Sequence, residues 1–188
     1  MALGTDGDPV WGQAFYESIK SVGHGTTVKN HFTTYAAAKQ TIFMLSEMVA
    51  ARLRRYAVKA QLVHLFCQDS FMATTGRQKP LLHPSSSGAE IARTANEILY
   101  QIWNPKTQKP LRGLTVSTGK LVGFEDERQL SIFDGQIQRE EKLDFTIDGV
   151  KERFGRNSIN RAVLMDSVFS KDDYVDRSLE DSYLPFKR

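Results

Sequence analysis

The sequence predicts an α+β domain in which a four-stranded sheet carries two helices on one face. Apolar runs rich in β-branched residues alternate with two stretches whose apolar residues recur at helical spacing. The predicted order is strand, helix, strand, strand, helix, strand, which is the split βαββαβ arrangement. With 40% hydrophobic and 25% charged residues among 188, the composition is that of a globular protein with a core.

The first strand and helix follow a stretch, residues 1–17, that we interpret as a linker. β-Branched residues and glycines from Ile19 to Val28 predict an edge strand with a bulge or a close backbone approach. Thr33 or Thr34 is expected to cap the helix that follows, which ends in three arginines favoured by the helix dipole. The apolar residues at helical spacing are Ala38, Ile42, Leu45, Val49 and Leu53, and the arginines are Arg52, Arg54 and Arg55.

The remaining sheet elements lie between residues 61 and 121. Residues 61–68 predict a strand, and a turn at 68–70 leads into another from Phe71 to about Arg77. A polar loop with Pro80, Pro84 and three serines is expected next, and then a helix that a Ser87–Glu90 capping box begins. Residues 111–121 predict the last strand. Its inward residues are Leu114 and Val116, and its outward residues are Thr115 and Ser117.

After the sheet, the sequence predicts a helical extension and a tail. Leu143, Ile147, Val150 and Phe154 indicate an amphipathic helix from Glu140, ended by Gly155. A short further helix is expected from Asn157 or Ser158 through Leu164. We therefore divide the chain into a linker (1–17), a sheet domain (18–122), a second linker (123–137), a helical extension (138–166) and a tail (167–188).

The charge changes sign along the chain. Up to Leu121 there are 14 Lys and Arg against 7 Asp and Glu, whereas from Val122 onward there are 11 against 15. A basic first part predicts a polyanion partner, and the acidic second part indicates that this partner does not run the whole length. The alternative is an ordinary solvated surface.

The spacing of the histidines and of the cysteine does not indicate a catalytic or metal site. The four histidines are scattered without ligand spacing, and Cys67 has no second cysteine to join it in a zinc site or a disulfide. No nucleotide-binding or hydrolase motif occurs. We therefore predict no catalytic residues, no metal and no cofactor in this chain. A single cysteine and the lack of a signal peptide or membrane span predict a soluble, cytoplasmic protein that makes no membrane contact.

The sheet face without helices is the candidate binding surface. We expect it to hold phosphates through hydroxyls, cations and main-chain N–H groups, since the strands lack the aromatic pairs with which an RNA-recognition sheet stacks bases. Its candidate groups are Lys20, His24, Thr26, Thr27, Arg77, Lys79, Arg112, Ser117 and Lys120.

A short apolar run, Gln129-Leu130-Ser131-Ile132-Phe133, lies between acidic and flexible flanks where the charge changes sign. One interpretation is a buried edge strand of the domain. The other is an exposed docking peptide, with Leu130, Ile132 and Phe133 as anchors and Gln129 as the polar selector.

Several segments in one order resemble a known family. They are Lys20-Ser21-Val22-Gly23-His24-Gly25-Thr26-Thr27, Thr75-Gly76-Arg77, Leu111-Arg112-Gly113-Leu114-Thr115-Val116, Gln129-Leu130-Ser131-Ile132-Phe133, and residues 147–155. Over residues 4–166 the chain is similar to the C-terminal part of bacterial Y-family DNA polymerases, the translesion enzymes.

This resemblance implies that residues 18–122 are a little finger domain, which grips the backbone of primer–template duplex DNA. The DNA-binding residues it implies are Lys20, Ser21, Gly23, His24, Thr26, Thr27, Arg77, Lys79, Arg112, Thr115, Ser117 and Lys120. It also implies that Gln129, Leu130, Ile132 and Phe133 dock on the bacterial sliding clamp. The palm, with the carboxylates that hold Mg²⁺ in the parent enzyme, is absent from this chain, and residues 1–17 lead from the missing thumb.

The alternative is a stand-alone regulatory or RNA-binding domain of the same topology. In that case residues 129–133 would be buried in its own core.

Overall fold

The computed structural model of the protein describes residues 19–124, 134–155 and 158–159, and its first part is a four-stranded antiparallel sheet in the order β1-β4-β2-β3. The elements are β1 (Ser21–Phe32), α1 (Tyr35–Arg55), β2 (Val58–Asp69), β3 (Thr74–Ser85), α2 (Gly88–Ile102), β4 (Leu111–Gly123) and α3 (Asp134–Phe154). The predicted α+β class and βαββαβ order are confirmed.

The strand register decides which residues share a face, because directly paired residues point to the same side of a sheet. Val116 pairs with His24 on one side and with Leu65 on the other, and Leu65 pairs with Arg77. This row faces the helices. Val116 and Leu65 are fully buried there against the apolar stripes of α1 and α2.

The first helix follows its prediction closely. Thr34 is the N-cap, and its Oγ1 accepts a hydrogen bond from the Ala37 N–H at 3.3 Å. The predicted apolar stripe is buried throughout, and it comprises Ala38, Ile42, Leu45, Val49 and Leu53.

Strand β3 differs from its prediction. It runs from Thr74 to Ser85, so the expected polar loop with Pro80 and Pro84 is wrong. The strand lies at an edge of the sheet, where prolines are tolerated because one side of the strand has no partner to receive an N–H.

The start of α2 also differs from its prediction. Ser87 is the N-cap residue, but its side chain makes no capping hydrogen bond, so the Ser87–Glu90 capping box is wrong. Instead the Gly88 N–H donates to Oδ2 of Asp144 at 3.3 Å. A carboxylate from α3 therefore caps α2, where the helix dipole favours negative charge.

Helix α3 begins at Asp134 rather than Glu140. Leu143 and Phe154 are 51% and 66% exposed, whereas Asp144 is 1% exposed. Ile147 and Val150 of the predicted apolar stripe are half-buried, and three carboxylates of α3 contact cations of the domain. Ser158 and Ile159 are not helical, and the rest of the predicted short helix lies outside the described residues, as do residues 1–17 and the tail.

Within the described part of the chain, no helix is both long and apolar enough to span a lipid bilayer.

Candidate nucleic-acid interface

The sheet has one face that α1 and α2 do not cover, which we call the open face. Its central rows are Gly25–Thr115–Phe66–Gly76 and Gly23–Ser117–His64–Gln78. By the same register it also contains Ser21, Thr27, Leu62, Gln68, Thr74, Pro80, Gly113 and Gly119. Small and hydroxyl-bearing residues dominate this surface, so a ligand can approach the backbone closely.

In the part of the chain that the structure describes, the open face carries no carboxylate. Between residues 19 and 124 there are fourteen Lys and Arg against four Asp and Glu. Glu47 lies on α1, and Glu90 and Glu97 lie on α2. Asp69 ends β2, and its Oδ1 accepts from the N–H groups of Phe71 and Ala73 at 2.8 and 2.9 Å, so its charge is held in the turn. A basic domain with one acid-free face is suited to a polyanion.

Five of the predicted DNA-binding residues lie together on the open face. They are Ser21, Gly23, Thr27, Thr115 and Ser117. At Gly23 a Cβ would lie 2.7 Å from the Cβ of Ser117, so a side chain there would displace its neighbour. The prediction that Thr115 and Ser117 point outward is confirmed.

Four predicted residues lie on the other face, and the expectation that they share the open face is wrong. They are His24, Thr26, Arg77 and Lys79, which pair with the helix-facing residues of β4 and β2. Arg77 donates to Gln101 Oε1 at 3.2 Å, and Lys79 Nζ lies 2.5 Å from Glu97 Oε2. The reason is the alternation of side chains along a strand. His24 lies two positions from buried Val22 and so points to the same side, and the glycines at 23 and 25 hide this alternation in the sequence.

The remaining predicted cations lie at the ends of β4. Lys20 and Lys120 are exposed at the end where Ser21 pairs with Gly119. Lys120 has a φ of 50°, a left-handed conformation that is uncommon for lysine. Arg112 lies at the opposite end, where the register between β2 and β4 shifts, and its Nη1 is 2.9 Å from Met72 Sδ.

An aromatic pair on β2 corrects the expectation that the sheet lacks one. The rings of His64 and Phe66 lie 6.1 Å apart with an interplanar angle of 20°, and Phe66 is 40% exposed. Alternation along residues 61–68 is the sequence signal for this pair, because His64 and Phe66 are two positions apart on one strand and so share a face.

Arg54 holds α3 against the domain, a role that its position at the end of α1 does not indicate in the sequence. Its side chain is 3% exposed and contacts Asp148 through Nε at 2.5 Å and Nη2 at 3.0 Å. Its Nη1 donates to the Ser86 carbonyl at 2.7 Å and lies 3.4 Å from Asp144 Oδ2. Lys59 adds a second link, because its Nζ lies 3.0 Å from Glu141 Oε1. These charges attach α3 to the domain.

The residues predicted to dock on a clamp, Gln129, Leu130, Ile132 and Phe133, lie outside the described residues. Helix α3 begins at the next residue, Asp134.

The thiol of Cys67 and the spacing of possible metal ligands bear on the reactivity of the domain. Burial raises the pKa of the Cys67 thiol to about 12, so the reactive thiolate is disfavoured at neutral pH. In the described ranges, no three His, Cys, Asp or Glu side chains are grouped as metal ligands.

Comparison with known proteins agrees with this fold. Residues 19–132, more than half of the chain, match the impB/mucB/samB family C-terminal domain. DNA polymerase IV of Acetivibrio thermocellus is 35% identical over 167 residues, which cover 88% of this chain and 41% of that protein. DNA polymerase IV of Pelotomaculum thermopropionicum is 34% identical and covers 86% and 39%. The chain thus spans about two fifths of the length of these curated relatives.

Among solved structures, a Y-family DNA polymerase chimera of Dbh and Dpo4 matches 57% of this chain and 30% of its own, with a TM-score of 0.50 and 11% identity. At that identity the likeness shows the fold alone. With the family match over residues 19–132 and the βαββαβ sheet, the chain belongs to the impB/mucB/samB family and contains its C-terminal domain.

Proposed function

We propose that this chain is the non-catalytic, DNA-gripping part of a translesion DNA polymerase, and that its open face lies along primer–template duplex. The observation that carries this proposal is that no carboxylate among the described residues lies on that face, in a segment with fourteen cations and four acids. A domain that grips the DNA backbone requires a surface that does not repel phosphates and that leaves its own main chain accessible.

The contacts we propose are independent of base sequence. The hydroxyls of Thr115 and Ser117 donate to phosphate oxygens, and Lys20, Arg112 and Lys120 supply charge from the ends of β4. Strand β1 is an edge strand of the described sheet, so its outer N–H groups are available to phosphates beside Gly23 and Gly25. Such contacts position the duplex but carry no sequence information.

Catalysis is assigned to the parent enzyme. Since the chain spans about two fifths of the polymerase IV relatives, we propose that nucleotidyl transfer with Mg²⁺ takes place in a domain beyond the matched region. The little finger then increases the time that the polymerase stays on its primer–template.

Clamp docking through Gln129, Leu130, Ile132 and Phe133 is the second part of the proposal. Helix α3 begins at the residue after this peptide and is attached to the domain through Arg54. Tethering to a ring on DNA raises the local polymerase concentration without requiring a tight peptide contact.

The DNA contact is tested by the affinity of the chain for a labelled primer–template duplex at a series of salt concentrations. We expect the logarithm of the affinity to fall by about 0.9 per logarithmic unit of salt for each phosphate neutralised. Binding that does not change with salt would contradict phosphate contact.

The clamp contact is tested by titrating a bacterial sliding clamp with the chain and with Phe133→Ala. Truncating an interface anchor is expected to cost about 2 kcal/mol or more. Phe154→Ala is the matched control, because Phe154 is a 66% exposed phenylalanine at the far end of α3. Equal clamp affinities for the Phe133 and Phe154 variants would exclude the docking role.

A stand-alone RNA-binding domain is the second candidate, favoured by the His64–Phe66 ring pair on the open face. In that case residues 128–134 would be buried in the domain and exchange their amide hydrogens slowly. Rapid exchange there, with a preference for duplex DNA over RNA, supports the polymerase assignment.

A further inference from the structure

We propose that His64 and Phe66 form a stacking site for one unpaired nucleobase of a DNA strand. This inference rests on the proposed DNA-binding role of the open face and adds a single-strand contact to it. The chain would then hold a nucleotide that is not base-paired, beside the duplex backbone.

The two rings lie nearly parallel on the open side of a central strand. Phe66 pairs with Thr115 on one side and Gly76 on the other, and His64 pairs with Ser117 and Gln78. The Phe66 ring occupies the space that a side chain at Gly76 would need, since a Cβ there would lie 2.8 Å from Phe66 Cε1. The absence of a side chain at position 76 thus lets the ring lie across β3.

The surroundings of the rings indicate which ligand fits. Their partners are hydroxyl, amide and glycine residues, so the rings do not belong to a large apolar patch of the kind that binds protein. None of the carboxylates between residues 19 and 124 lies on this face to repel phosphates. Thr115 and Ser117 pair directly with Phe66 and His64, so hydroxyl donors stand beside the aromatic surface.

An unpaired base fits this surface better than a paired one. A duplex presents base edges in its grooves, whereas the faces of its bases are covered by their neighbours. An exposed aromatic ring stacks on a base face, and it does so with little sequence preference because every base has one. We therefore expect the site to bind a base that is not stacked between neighbouring bases of a duplex.

Covering Gly76 explains part of the arrangement but not all of it. That structural role accounts for the position of the Phe66 ring. It does not require the His64 ring to lie nearly parallel to the Phe66 ring, nor 40% of Phe66 to remain exposed.

The test compares a labelled oligothymidylate with a duplex, using the whole chain and Phe66→Leu. Leucine keeps an apolar cover over Gly76 but removes the aromatic face. We expect the variant to bind the single strand about tenfold more weakly and to lose much less affinity for the duplex, whose base faces are covered. Phe71→Leu is the control, since Phe71 is an exposed aromatic in the β2–β3 turn, and it should bind both ligands like the unaltered chain.

A second arm needs no variant. An abasic oligonucleotide has the same phosphates without base faces, so the unaltered chain should bind it as weakly as Phe66→Leu binds oligothymidylate. Equal binding of the abasic and thymine strands would overturn the stacking site. Equal fold losses of duplex and single-strand affinity in Phe66→Leu would also overturn the stacking site, while agreeing with duplex binding on the open face. If the unaltered chain binds neither ligand, the proposed function itself fails.

Discussion

Arg54 at the end of α1 and Asp148 in α3 form a two-point ion pair, with Nε 2.5 Å from Oδ2 and Nη2 3.0 Å from Oδ1. The same guanidinium reaches Asp144, which also caps α2 through the Gly88 N–H. Leu143 and Phe154 remain exposed, so these ion pairs form part of the attachment of α3 to the domain. One buried arginine thus connects three helices.

Replacing this arginine is expected to destabilise the protein. Arg54→Met keeps much of the apolar volume but leaves Asp144, 1% exposed, without its cation. Breaking a buried ion pair from one side costs about 3–5 kcal/mol, and urea denaturation measures the loss. Arg93→Met, at an exposed position of α2, should change the free energy of unfolding by less than about 0.5 kcal/mol. Equal stabilities for the two variants would show that the Arg54 contacts contribute little.

The Phe66 ring above Gly76 predicts a strong coupling between these residues. Gly76→Ala should cost about 1–3 kcal/mol, because the new Cβ would overlap the ring and force it to move. In a Phe66→Ala background the same change should cost much less, since the space is then open. Urea denaturation of the four proteins of this double-mutant cycle measures the coupling. Additive costs would mean that the two residues do not compete for the same space.

The buried thiol of Cys67 predicts a loss of stability in alkali. Its pKa is about 12 in the folded chain against 9.0 ordinarily, so folding favours the protonated form. That contribution is complete below about pH 9 and is lost as pH rises from 9 to 12, by about 1.4 kcal/mol per pH unit. Unfolding free energies measured above pH 9 should therefore fall more steeply for the native chain than for Cys67→Ala. Parallel pH profiles would contradict the assignment to this thiol.

The sheet and two of the helices could be predicted from the sequence because their patterns are strong and local. The apolar stripe of α1 and the alternation of Leu114, Thr115, Val116 and Ser117 in β4 each identify an element and its buried side. The βαββαβ order then follows from the sequence of elements alone.

The errors share a different physical origin, namely contacts between distant segments. Arg54 resembles a helix-terminal cation until Asp144 and Asp148 are brought to it across some ninety positions of the chain. Pro80 resembles a loop residue until β3 is known to be an edge strand. The face occupied by Arg77 depends on the register of β3, which no local pattern determines.

The central claim is that duplex DNA lies on the open face, and two matched double variants test it most directly. Lys20→Gln/Lys120→Gln removes two charges at the end of the β1–β4 pair, and Arg77→Gln/Lys79→Gln removes two charges beside α2. In a salt titration of duplex affinity, we expect the first variant to lower the slope by about two and the second to leave it unchanged. The reverse pattern, with the slope reduced only when Arg77 and Lys79 are replaced, would place the DNA on the opposite side of the domain.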